Sequence, residues 1–206
     1  MIKRSWWSLV LCCLMINGIW AQDPALLKRI QDTEACRKWV DKQMERMTLK
    51  QKVGQLFVYT LQPATNQYTK NVLRKAVEDY AIGGLLFTGG EVGKQVQLTN
   101  FAQSCASVPL MITFDGEWGL GMRLKNTPSF PYNRVLGCVQ NDSLIYAYGK
   151  EVARQCRLIG VQVNFAPVAD VDNNPNNPVI NTRSFGSEAR RVADKVVAYA
   201  TGLESG

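Results

Sequence analysis

Val161 to Gly186, VQVNFAPVADVDNNPNNPVINTRSFG, is the stretch on which the fold turns. Val161, Val163 and Phe165 alternate as in a buried β-strand, and Pro167 breaks the run. A long loop of Asp, Asn and Pro follows, ending at Arg183. A new helix starts just beyond it, with Ser187 as the expected cap. Polar loops after buried strands are where α/β proteins place their chemistry. Arg183 brings five fixed donors to such a strand mouth, suited to carboxylates, phosphates or sugar hydroxyls.

Moving outward, the same strand-then-helix order repeats. Apolar runs at Gly54–Thr60, Gly83–Thr88, Pro109–Phe114 and Val161–Ala166 read as four strands. Helical patterns follow each: Thr69–Tyr80 with Leu73, Ala76, Val77 and Tyr80 on one face; Glu91–Ala106; Asp142–Ile159; and Glu188–Leu203. In the third helix Ile145, Tyr148, Val152, Cys156 and Ile159 recur at helical spacing, and Gly160 stops it. The last helix is expected to bury Val192, Val196 and Ala200. Ahead of the first strand, Thr48-Leu49-Lys50-Gln51 has the form of a capping box opening a short helix.

Successive β/α units predict a parallel sheet with helices outside it. An open doubly wound sheet and a (β/α)8 barrel both satisfy that pattern. An open sheet would carry a Gly-rich phosphate turn after its first strand, where this chain has Leu61-Gln62-Pro63-Ala64. Polar residues instead follow several strands: Thr88, Asp115 and Asp170. A barrel distributes its site around the C-terminal rim in this way. The expectation is an α/β fold, a (β/α)8 TIM-barrel-type domain cut off after about four units, since a whole barrel takes about 250 residues.

The N-terminus reads as a secretory signal over residues 1–21. Lys3 and Arg4 precede an apolar run, Trp6 to Ile16, too short to span a bilayer, and Ala21 offers a cleavage site. The chain is therefore expected to be exported, to a periplasm or the outside, and to have no membrane anchor after cleavage. Residues 22–47 form a polar helical lead-in, and 48–206 the barrel-type domain. Removing the signal lowers the formal charge from +7 to +5. The remaining Lys and Arg are scattered among acidic residues, which argues against nucleic-acid binding. Cys36, Cys105, Cys138 and Cys156 show no zinc spacing. An exported compartment permits disulfides, and the helical setting of Cys156 fits a buried free thiol equally well. No histidine occurs anywhere, excluding a His-based triad or His-ligated metal within these 206 residues.

Two apparent motifs fail on inspection. Gly89-Gly90-Glu91-Val92-Gly93-Lys94 looks like a phosphate loop, but Thr88 stands in place of its first glycine and Gln95 in place of Ser or Thr. Asp170-Val171-Asp172-Asn173-Asn174 begins like a calcium loop, but Pro175 and Asn181 occupy its Gly and Glu places. Phe114-Asp115-Gly116-Glu117-Trp118-Gly119 is stronger. Asp115 sits just past a strand, where it could accept from sugar hydroxyls, with Trp118 as a flat apolar face. It could equally cap a turn while Trp118 packs. Arg123 and Arg183 could each pair with a nearby carboxylate for structural reasons only, the ordinary reading of a lone arginine.

Together these segments resemble the N-terminal barrel domain of family 3 glycoside hydrolases. The likeness runs through Met47–Gln55 (MTLKQKVGQ), Gly83–Phe87, Phe114–Gly119, Asn164–Asp172 and Asn177–Gly186 (NPVINTRSFG), and so covers nearly all the chain from Met47. The last segment is closer to the β-N-acetylglucosaminidase branch than to the β-glucosidase branch. The resemblance implies a retaining hydrolase of terminal β-linked N-acetylhexosamine, acting on oligosaccharides or glycoconjugates such as those of cell walls, and needing no cofactor; a β-glucosidase or β-xylosidase of the same family, a non-catalytic carbohydrate-binding protein and an inactive fragment are the alternatives. It implies that Asp115 and Arg123 bind hydroxyls of the terminal sugar and that Arg183 holds another part of it. The family's mechanism proceeds through an aspartate nucleophile and a covalent glycosyl-enzyme, with an Asp-His pair as acid/base in this branch. Its Lys-His pair, histidine loop and Ser-Asp nucleophile follow the Arg183 segment and have no match up to Gly206. No residue of this chain is therefore expected to be catalytic; the nucleophile and the acid/base are expected beyond Gly206. The chain by itself is expected to hold sugar without cleaving it.

Overall fold

The computed structural model describes residues 33–206. The signal segment and the first part of the lead-in lie outside the described residues. The rest of the lead-in is α1 (Glu34–Arg46), capped by Thr33, whose side chain accepts from the Cys36 amide. Thr48 and Gln51 then form the expected capping box on α2 (Leu49–Gly54).

Four β/α units follow. β1 (Val58–Leu61) leads to α3 (Gln67–Glu78), and β2 (Gly84–Phe87) leads, through a short β3 (Gly90–Glu91), to α4 (Val92–Cys105). β4 (Met111–Phe114) is followed by a 3-10 turn at Leu120–Met122, β5 (Leu124–Lys125), α5 (Asn133–Leu136) and α6 (Asp142–Leu158). β6 (Val163–Asn164) runs through the long loop and a second 3-10 turn at Asn181–Arg183 to α7 (Ala189–Ser205), whose C-cap is Gly206.

The four main strands pair in parallel in the order β1-β2-β4-β6, each new strand joining the same growing edge. Thr60 lies opposite Leu86, Leu86 opposite Thr113, and Thr113 opposite Val163. A doubly wound sheet reverses direction at a switch point; here the order advances steadily, as in a barrel wall. β3 and β5 form a separate parallel pair, tying the loops after β2 and β4 together. Gly90 in this pair has φ +115, and a Cβ there would sit 2.4 Å from Pro63 Cγ.

The core fills the layer between sheet and helices. Leu85, Phe87, Ile112 and Phe114 meet Leu73 and Val77 of α3, Leu98 and Ala102 of α4, and Ile145, Val152 and Cys156 of α6, all buried. Burying side chains of this size stabilises by about 1.5–3 kcal/mol each. No helix among the described residues is long and apolar enough to cross a membrane.

Several expectations need correction. The fourth strand is two residues long, and Phe165 is exposed rather than buried. Gln162 explains its short length: its amide donates to the Ile112 carbonyl, while its side chain accepts from the Ile112 amide, replacing a ladder carbonyl. Tyr80 lies beyond α3 and is exposed. Glu188, not Ser187, caps α7, its carboxylate accepting from the Arg190 and Arg191 amides; those bonds lower its pKa. Val192 is buried as expected, but Val196 and Ala200 are half-buried. The buried stripe of α7 continues instead through Lys195, Tyr199 and Gly202.

That rotation follows from how α6 and α7 cross. A Cβ on Gly149 would lie 2.2 Å from the Tyr199 carbonyl oxygen, and one on Gly202 would lie 2.1 Å from that of Tyr146. Each helix presents a glycine where the other's backbone arrives. Gly206 extends the contact at the end of α7, where a Cβ would lie 2.7 Å from that of Ala153. Gly149→Ala is expected to force the pair apart and cost about 2 kcal/mol, as over-packing does, read as a lower urea midpoint. The four described cysteines are free, and burial raises the Cys156 thiol pKa to about 11. Thiol labelling of the native protein at pH 8 should therefore modify exposed Cys138 first and reach Cys156 only on unfolding.

Candidate functional site

Asp115 follows β4 directly, so strand geometry places it at the C-terminal rim. The loop it opens is clamped by the neighbouring strand. Asn164 of β6 accepts from the Gly116 amide at 2.9 Å and donates to the Gly116 carbonyl at 3.1 Å. Asp115 then forms an ion pair with Arg123, whose Nε also donates to the Asp115 carbonyl at 3.3 Å. Both side chains remain about one-third exposed, so the pair faces solvent and keeps hydrogen-bonding capacity.

Two residues on, Glu117 turns inward and its side chain is only 1% exposed. Arg183 crosses from the β6 loop to meet it: Nε donates to Oε1 and Oε2 at 2.8 and 3.1 Å, and Nη2 donates to Oε1 at 2.6 Å. These bonds raise the Arg183 pKa, and Asp115 and Asp170 raise it further through space. Its charge is permanent. Asp115, Arg123 and Arg183, singled out in the sequence for one site, therefore share one charged cluster.

A second brace holds the Arg183 loop from below. Asn133 of α5, fully buried, donates to the Arg183 carbonyl at 2.8 Å. Arg134 forms an ion pair with Asp172 and donates to the Asn181 carbonyl at 3.3 Å. A Cβ on Gly137 would lie 1.7 Å from the Phe185 carbonyl oxygen, so the loop lies directly on this helix. Ser184 closes the turn, its hydroxyl donating to the Asp170 carbonyl at 2.6 Å. Asp172 is thus a rim strut, and Thr88 another, its amide donating to the Leu61 carbonyl.

The arrangement suits gripping a neutral polar ligand. Three carboxylates of the rim are each matched by a guanidinium: Asp115 by Arg123, Glu117 by Arg183, Asp172 by Arg134. An arginine pinned on one edge keeps donors on the other. A large, mainly apolar cavity, with Lys50 and Lys75 among its lining residues, lies elsewhere among the described residues. It measures about 610 Å³ and is lined by Val53, Phe57, Val58, Tyr59, Ala76 and Ile82 among others, none of them a rim residue.

Residues 48–206 match the family model described as the glycosyl hydrolase family 3 N-terminal domain. The chain belongs to glycosyl hydrolase family 3. It is 33% identical over 146 residues to β-hexosaminidase A of Pseudoalteromonas piscicida, covering 65% of this chain and 24% of that protein. It is 27% identical over 170 residues to a β-N-acetylglucosaminidase/β-glucosidase of Cellulomonas fimi, covering 81% of this chain and 29% of the relative. Among solved structures, a family 3 β-N-acetylglucosaminidase from Paenibacillus superposes with a TM-score of 0.67 at 31% identity, covering 77% of this chain and 31% of that one. The chain thus spans less than one-third of the length of these relatives.

Within this family 3 rim, sequence reasoning missed the supports. Glu117, Asn164, Asn133 and Arg134 carry no local signal for their roles, since hydrogen bonds spanning 38 to 66 positions leave no local spacing. Asn164→Ala removes both bonds to Gly116, and a loss of about 2 kcal/mol is expected, measured as a shifted urea midpoint at constant m-value.

Proposed function

We propose that this chain supplies the sugar-gripping side of an exported family 3 hydrolase that releases terminal β-linked N-acetylhexosamine. The observation that carries the reading is the pair of arginine–carboxylate contacts at one strand mouth, Asp115 with Arg123 and Glu117 with Arg183. Each arginine is fixed by its carboxylate and still partly open to solvent. In this reading Asp115 accepts from hydroxyls of the terminal sugar, Arg123 orients Asp115, and Arg183 donates to another polar group of that ring. Charge-assisted bonds of this kind contribute about 1.5–3 kcal/mol each.

In this reading the rim carboxylates bind and orient the sugar rather than break its glycosidic bond. Asp115, Glu117 and Asp172 are each committed to an arginine, and the 206 residues contain no histidine for the branch's Asp-His acid/base. The substrate class is a glycoside ending in N-acetylglucosamine, which the named relatives support. A β-glucosidase is the second reading, favoured by the dual activity in the name of the Cellulomonas relative.

Calorimetric titration with methyl N-acetyl-β-D-glucosaminide is expected to give saturable binding, with affinity reduced roughly tenfold to a hundredfold in Asp115→Ala. Equal binding by wild type and variant would remove Asp115 from the site. Tighter binding of methyl β-D-glucoside would select the second reading.

A further inference from the structure

Glu117 is a costly residue in an unusual place. Its carboxylate is almost wholly desolvated, and burying a charge is unfavourable even when it is paired, so an apolar side chain would often serve stability as well. Every other polar atom of the residue is also held. Its carbonyl accepts from the Tyr148 hydroxyl of α6 at 2.9 Å, and its amide meets Met122 Sδ at 3.3 Å. Burial raises the Tyr148 pKa, so that hydroxyl stays a donor. With its backbone pinned on both sides, the Glu117 side chain has one task left, which is to receive Arg183.

The consequence is directional. A guanidinium has five N–H donors. Glu117 occupies Nε–H and one N–H of Nη2, leaving three that face away from the carboxylate. Arg183 is 38% exposed and its charge is coupled through space to Asp115, so the donors that Glu117 leaves free belong to a side chain open to solvent beside that rim carboxylate. An unanchored arginine would spread them over many rotamers, and ordering it on binding would cost affinity.

We propose that Glu117 is a positioning residue: it fixes the plane of Arg183 before ligand arrives, so that the donors on its free side are aimed into the site. It touches no ligand itself. The ligand half of this inference rests on the sugar-binding reading above; the positioning half rests on the geometry alone.

Both halves can be measured on the full chain. The Arg183 Nε–Hε resonance, assigned by its loss in Arg183→Lys, is expected to be resolved and slow to exchange in wild type. In Glu117→Gln, which keeps the shape and removes the charge, it should move toward the solvent-averaged position. Glu117→Asp should restore it in part, and thermal melts establish that each variant is folded. An unchanged Hε resonance in folded Glu117→Gln would overturn the proposal. For ligand, the dissociation constant for methyl N-acetyl-β-D-glucosaminide is expected to rise about tenfold in Glu117→Gln. It should rise no further when Glu117→Gln is added to Arg183→Ala, since the residue acts only through the arginine. Losses that multiply in the double variant would assign Glu117 an independent role and contradict the proposal. If wild type binds no sugar, the sugar reading fails, while the Hε resonance still decides whether Glu117 positions Arg183.

Discussion

The ion pair between buried Glu117 and Arg183 joins the two loops on which this site depends. One loop leaves β4 and the other leaves β6, and the two partners are 66 positions apart in the chain. Neither loop has regular structure beyond a short 3-10 turn and a two-residue strand. The charge pair, in a setting closed to water on the glutamate side, sets their spacing. Asn164 adds a neutral clamp on Gly116 between them. Removing either charge would leave the other unpaired, and an unpaired buried carboxylate is far more costly than the pair.

The rest of the fold serves that junction. Parallel pairing of β4 with β6 brings their C-terminal ends side by side, so the loops leave from adjacent points. α5 lies against the β6 loop, and α6, packed closely on α7 through Gly149 and Gly202, carries the Tyr148 hydroxyl that holds the Glu117 carbonyl. Core packing thus reaches the rim through one hydroxyl. The site is preorganised by elements whose own burial stabilises them, which keeps the arginines in place without a ligand to order them.

Much of this was legible in the chain. The repeated strand–helix order, the capping box at Thr48 and the stop at Gly160 are local patterns and all three are present, although the first strand begins at Val58 rather than Gly54, which ends the preceding helix. The rim position of Asp115 also followed from one strand boundary. The errors came where tertiary contacts override local pattern. Gln162 substitutes its side chain for a ladder bond and shortens β6, and a close helix crossing turns the buried stripe of α7 toward Tyr199. Glu188 caps that helix where Ser187 was expected, because a carboxylate reaches two amides at once. The partner of Arg183 could not be read, since nothing in linear spacing links positions 117 and 183.

The central claim is that the rim at Asp115, Arg123 and Arg183 holds a terminal sugar of N-acetylglucosamine type. A crystal structure of the protein soaked with methyl N-acetyl-β-D-glucosaminide tests it most directly. The account predicts the sugar ring at the mouth of β4 and β6, with hydroxyls on Asp115 and donors of Arg183 within hydrogen-bond distance. A sugar bound elsewhere, or a rim that stays empty of sugar at saturating concentration, would contradict it.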